Sequence, residues 1–157
     1  MIVSKPLMLI TLGACILGLS ALGSEKNPVP RSFKGSSTFT TVVNLVSGSY
    51  ETTGAGIHSH LGLSTVYTTG EMEVSLDPFA FTVLSHEGIV TAANGDQFFY
   101  ELQGGAFPIT GGTGRFAGAT GSVFPGSVLE DFEVTIDLVT MTMTTTYGAT
   151  IEGTIIY

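Results

Sequence analysis

Beyond residue 35 the chain reads as short extended segments in which apolar and polar positions alternate, separated by Gly, Asn, Asp and Pro. The clearest alternation is Thr140-Met141-Thr142-Met143-Thr144, the period of a half-buried strand. Near the C-terminus Ile151, Gly153, Ile155 and Tyr157 fall on one face, and Glu152 and Thr154 on the other. Strands are predicted near Ser37–Leu45, Tyr50–His58, Leu63–Met72, Ala80–Leu84, Gly88–Ala92, Gln97–Leu102, Gly121–Val128, Val134–Thr145 and Ala149–Tyr157. Asn94-Gly95 predicts a hairpin, since both residues tolerate the positive φ of a type I′ turn. No sustained helical period follows the N-terminal segment. The pattern predicts an all-β domain, an antiparallel barrel or sandwich, and closure would remove edges that could recruit other chains. The Thr-Thr-Gly triplets at Thr52–Gly54 and Thr68–Gly70 read as similar local turn and strand chemistry, not as a true repeat.

The N-terminus changes this picture by adding an export signal. Met1 to Lys5 carries one positive charge, Leu7 to Leu19 is apolar, and Ala21-Leu22-Gly23 offers a small-x-small cleavage site. The apolar run is short for a membrane span. The reading is a signal peptide at 1–23, a polar Pro-containing tether at 24–34 and a β-barrel domain at 35–157. The expected location is secreted or periplasmic. Leu12-Gly13-Ala14-Cys15 resembles a lipobox, so the alternative is a lipoprotein anchored through Cys15.

Composition bounds the chemistry. The 157-residue chain suits one small domain, and charged residues are 11% against 43% hydrophobic, which argues against disorder. With 13 acidic and 5 basic residues the formal charge is −8, which disfavours nucleic acid and anionic membranes as partners. Cys15 is the only cysteine. Cleavage after Gly23 would leave none, excluding disulfides, thiol nucleophiles and cysteine-based zinc sites from the mature domain.

The most unusual segment is Ile109-Thr110-Gly111-Gly112-Thr113-Gly114-Arg115-Phe116-Ala117-Gly118-Ala119-Thr120-Gly121. Its glycines predict a tight turn between extended segments, with Phe116 anchoring it to the core. A phosphate-binding loop fails here. No Gly-Lys-Ser/Thr follows the glycines, and the residues after them are β-like rather than helical. This segment resembles the C-terminal signature of plant dirigent proteins, allene oxide cyclases and their bacterial barrel relatives. Ser59-His60-Leu61-Gly62 and Thr91-Ala92-Ala93-Asn94-Gly95-Asp96-Gln97 are similar to the bacterial members, and the likeness runs from about Gly35 to Tyr157. The first of these departs from the family by continuing with Leu63-Ser64-Thr65 where the relatives have Arg-Phe-Thr. The resemblance implies an antiparallel, approximately eight-stranded closed barrel of the calycin type and, as a partner, further copies of the chain, such as a trimer. It transfers no catalytic residues.

Several residues are candidates for chemistry. His58 and His60, if both lie on one strand, face the same way and could hold a metal with His86, Glu71 or Glu73. The competing reading makes His60 part of a structural corner, its ring held by the backbone, with His58 an exposed or half-buried neighbour. Glu71 and Glu73 share a face, and Glu130, Asp131 and Glu133 crowd a loop; solvated charge explains them best. Arg115 is a candidate anion contact at the barrel mouth, or a salt-bridge partner. No Gly-x-Ser-x-Gly elbow or His-Glu-x-x-His motif occurs, and no cofactor is expected. Phe79, Phe81, Phe98, Tyr100, Phe107, Met141 and Met143 are candidates for the core or for a pocket lining.

Three functions remain open. The first is a non-catalytic exported barrel that binds a small apolar molecule or acts as an interaction module, with His58, His60, Glu71, Tyr100 and Arg115 as candidate contacts. The second is a cyclase- or isomerase-like enzyme that steers a reactive intermediate in the cavity. The third is an oligomeric surface or matrix protein. A packed interior favours the third, a pocket containing His58, Glu71 or Tyr100 the second, and a pocket without convergent polar groups the first.

Overall fold

Alternating inward and outward side chains carry the described residues through nine antiparallel strands. They are β1 (Pro30–Asn44), β2 (Ser49–His58), β3 (Gly62–Leu76), β4 (Phe79–Ala92), β5 (Gln97–Glu101), β6 (Phe107–Gly112), β7 (Thr120–Val128), β8 (Glu133–Asp137) and β9 (Thr142–Ile156). The computed structural model describes residues 28–77, 79–128 and 131–157. The leader at 1–23 with Cys15, the first residues of the tether and Glu130 lie outside the described residues. β1 to β7 follow one another around the sheet, and β9 pairs with both β7 and β1. These eight strands close an antiparallel barrel, and β8 is a ninth strand added to β9. Among the described residues no helix is long and apolar enough to cross a membrane.

The boundaries differ from the sequence reading in several places, among them β9, which runs unbroken from Thr142 to Ile156 where a break after Thr145 was expected. β1 starts at Pro30, so residues 30–34 belong to the barrel and not to a tether. They pair with Ile156 to Glu152 of β9, and Phe33 is fully buried. β4 runs unbroken where two strands were expected. A bulge lets Glu71 face Ser85 while Met72 faces Val83, so the inward set changes from Phe81 and Val83 to His86, Gly88, Val90 and Ala92. β6 was not expected at all, since its Gly111 and Gly112 read as turn residues. The segment 134–145 is a hairpin and not one strand. The Val139 and Thr140 N–H groups donate to Asp137 Oδ1 at 2.8 and 3.2 Å, which turns the chain before Thr142.

Of the glycine-rich segment, Thr113 to Ala119 form the expected turn, and Ile109 to Gly112 and Thr120 to Gly121 are strand. After β6 a short 3₁₀ turn, Gly114–Phe116, inserts a Phe116 ring with 0% exposure. Gly114 (φ 55°) and Gly118 (φ 74°) take left-handed conformations that a side chain would strain. Phe116 meets the edges of Phe98 and Tyr157, with centroids 6.0 and 4.8 Å away. Asn94-Gly95 does connect β4 to β5, but only Gly95 takes a positive φ, so the turn is not type I′.

Two stretches of strand have an unpaired edge among the described residues. Phe79 to Ser85 of β4 pair only with β3, because β5 reaches no further than Glu87. β8 pairs only with β9.

Candidate functional site

The inward positions build two apolar clusters. Phe33, Phe98, Phe116 and Ile155 centre one, beneath the glycine-rich turn. Val43, Tyr50, Met72 and Met143 form the other. Strand register places a polar belt between them. Thr145 pairs with Thr41, Thr41 with Thr52, Thr52 with Thr68, Thr68 with Gly88, and Gly88 with Tyr100. The four threonines are buried. The Thr41 and Thr52 hydroxyls share a 2.7 Å hydrogen bond. Thr68 Oγ1 has no hydrogen-bond partner among the described residues. Gly88 is what lets Tyr100 into the belt, because a Cβ there would occupy the space of the Tyr100 ring.

The belt surrounds a hollow. One lobe of about 310 Å³ lies beside Met72, Met143 and Thr145, and a second of about 120 Å³ beside Phe98, Val90 and Thr68. Thr52, His86, Phe107, Pro125, Tyr147 and Ala149 line both, so the two lobes adjoin. The larger lobe is bordered by Phe81 of β4 and by Phe132, which are 56% and 50% exposed. Among the described residues no Asp, Glu, Lys or Arg lines either lobe.

The polar centre of the hollow is His86. Its Nδ1 lies 2.6 Å from the Tyr50 hydroxyl, which also donates to the Ser85 carbonyl at 3.2 Å. Nε2 has no protein hydrogen-bond partner among the described residues. The ring packs against Tyr100 and Phe107, at centroid distances of 5.6 and 5.1 Å. Burial among these rings disfavours the imidazolium and moves the His86 pKa from 6.5 down to about 4. Burial, with Tyr147 nearby, pushes Tyr50 up to about 12, and burial also raises Tyr100. At neutral pH the hollow therefore presents a neutral imidazole and two un-ionised phenols.

The residues singled out from sequence separate widely. Tyr100 lines the hollow. His58 does not: it is 2% exposed, with Nε2 3.2 Å from Ser37 Oγ and Nδ1 2.6 Å from Ser64 Oγ. Its ring lies parallel to Phe33 at 5.4 Å. It is thus a core histidine with both nitrogens committed, not an exposed neighbour. His60 is not on the strand with it. It sits in the turn after β2 at φ 67°, and its Nε2 donates to the Ser32 carbonyl at 3.0 Å. The same-face geometry expected of the pair is therefore absent, because β2 ends at His58. Glu71 and Glu73 are exposed on the outer face. Arg115 is on the outside of the glycine-rich turn, 3.5 Å from Asp96 and stacked over Phe116 at 4.8 Å. Among the described residues no group of three or more His, Cys, Asp or Glu could hold a metal ion.

Sequence reasoning passed over Tyr50 and Thr68 and noticed His86 only as a third metal ligand. The one legible signal was the Thr-Thr-Gly pair, whose Thr52 and Thr68 are register partners on β2 and β3. Both triplets are strand, not turn. Of the pocket candidates, Phe98, Tyr100, Phe107 and Met143 face the interior or its hollow, and Phe81 borders the larger lobe. Met141 belongs to the β8–β9 turn, and the Phe79 side chain lies outside the described residues. Comparison with protein-family models, curated proteins and solved structures returns no match to this chain.

Proposed function

We propose that the protein is an exported barrel of the allene oxide cyclase and dirigent kind that binds a small, largely apolar molecule in its interior. The supporting observation is the pair of adjoining lobes, lined by aromatic and aliphatic side chains, with the exposed Phe81 and Phe132 at the border of the larger. Its larger lobe is at the lower end of the roughly 300–1,000 Å³ typical of small-molecule sites. Export rests on the leader sequence, and family membership on the glycine-rich signature together with the barrel.

The neutral fluorophore N-phenyl-1-naphthylamine tests this reading. It is expected to bind the purified protein with a rise in fluorescence. Ala149 is 5% exposed and lines both lobes, so Ala149→Phe fills the hollow and is expected to weaken binding by about tenfold or more. Unchanged dye binding by an Ala149→Phe protein that retains its far-ultraviolet spectrum would remove the interior as the site.

A second reading, an isomerase- or cyclase-like enzyme, is favoured by Tyr100 in the hollow and by the Tyr50–His86 contact. It ranks below binding for a physical reason. A base with a pKa of about 4 is poorly matched to proton abstraction near pH 7. The test is deuterium incorporation into the carbons beside the carbonyl of 2-nonanone in deuterated water. Under the catalytic reading His86 takes a proton from that carbon, leaving an enolate, and returns a deuteron after exchange with solvent. His86→Phe would then abolish the incorporation, and absence of incorporation by the wild-type protein would leave binding alone.

A further inference from the structure

We propose that the interior selects neutral molecules carrying one carbonyl or hydroxyl oxygen, held by the Thr68 hydroxyl and His86 Nε2, and rejects the corresponding carboxylates. The proposal rests on the reading of the hollow as a binding site and specifies what that site recognises.

Three observations point to an uncharged oxygen. Thr68 is 3% exposed and lines the smaller lobe, yet its Oγ1 has no partner among the described residues. A buried hydroxyl without a hydrogen bond is costly, and native interiors seldom leave one so. Its natural complement is an acceptor oxygen brought by a ligand. His86 supplies the second contact. Thr68 pairs with Gly88, two residues along β4 from His86, so the two side chains are diagonal neighbours on the inner face. Diagonal neighbours lie roughly 7–8 Å apart, within reach of one bridging group. The third observation is the missing charge. Among the described residues no cationic side chain lines the hollow, so a carboxylate entering it would lose its hydration with no cation there to replace it.

The Tyr50–His86 contact adds chemical latitude. When Tyr50 donates to Ser85, His86 Nδ1–H donates to Tyr50 and Nε2 is an acceptor, suited to an alcohol. When Tyr50 donates to Nδ1 instead, Nε2 carries the proton and suits a carbonyl. The site can thus serve a ketone or an alcohol without any change of charge.

The experiment is displacement of N-phenyl-1-naphthylamine at pH 8 by 2-nonanone, 1-nonanol and nonanoate, with wild-type protein and Thr68→Val. Both neutral probes are expected to displace the dye, and nonanoate to be on the order of 100-fold weaker. Thr68→Val keeps the side-chain shape and removes the hydroxyl. It is expected to weaken both neutral probes by about fivefold to tenfold relative to the dye. Removing an unpaired buried hydroxyl should not unfold the protein, so a drop in affinity reads as a lost contact. Equal displacement by nonanoate, equal affinities in Thr68→Val, or no displacement by any probe would each overturn the proposal. Dye that binds and responds to Ala149→Phe under any of those results keeps the binding site itself standing.

Discussion

Phe116→Ala is expected to lower the unfolding free energy by about 3–5 kcal/mol, the largest change among single truncations considered for this chain. The ring is 0% exposed and meets Phe98 and Tyr157 edge-on, so its removal leaves a cavity as well as lost contacts. Small domains hold only about 5–15 kcal/mol in total. Urea unfolding of the wild-type and mutant proteins measures the difference. The loss has a local signature too. Ala119 N–H is bonded to the Phe116 carbonyl and Thr113 N–H to the Gln97 carbonyl, and both should exchange faster with solvent once the anchor is gone. Phe124→Ala, at a position 47% exposed, serves as the comparison and should cost less than about 1 kcal/mol. A Phe116→Ala loss as small as that would mean that the glycine-rich turn is not pinned through its ring.

That turn shows what could be read from the sequence and what could not. Glycines flanking a lone Phe leave few alternatives, since the backbone needs positive φ and the ring needs burial. The all-β class, the β4–β5 hairpin and the anchor were legible for such local reasons. The hollow was not, because it depends on register across strands far apart in sequence. Thr41, Thr52, Thr68 and Thr145 look like ordinary surface-compatible strand residues until pairing sets them in one line. His86 was hidden by a different device. The bulge opposite Glu71 shifts the alternation of β4, so counting by twos from Phe81 puts His86 on the outside. His58 misled in the opposite sense. Its spacing from His60 suggests a ligand pair only while β2 is assumed to continue past it, and the positive φ of His60 shows that it does not.

The buried His58 and the half-buried His86 make stability depend on pH, and here His86 gives the second large effect. Its pKa is about 4 when folded and 6.5 when the chain is unfolded and solvated. Above pH 6.5 neither state binds the proton, and the native state keeps its full stability. Between 6.5 and 4 the unfolded chain takes up a proton that the folded barrel refuses, so stability falls as the solution is acidified. Below 4 both states are protonated and the loss levels off. The full difference is about 3 kcal/mol at about 1.4 kcal/mol per unit, and solvent at the half-buried ring screens part of it, leaving about 1–3 kcal/mol. His58, also lowered by burial, adds to the loss in the same direction. Ordinary carboxylates titrate near 4, so unfolding free energies measured between about pH 5 and 6.5 isolate the histidines. Wild-type stability is expected to decline across that window, and His86→Phe to remove His86's share of the slope. Parallel wild-type and His86→Phe curves would show that the imidazole is solvated in the folded protein, and the hollow would then be wetter than its aromatic lining implies.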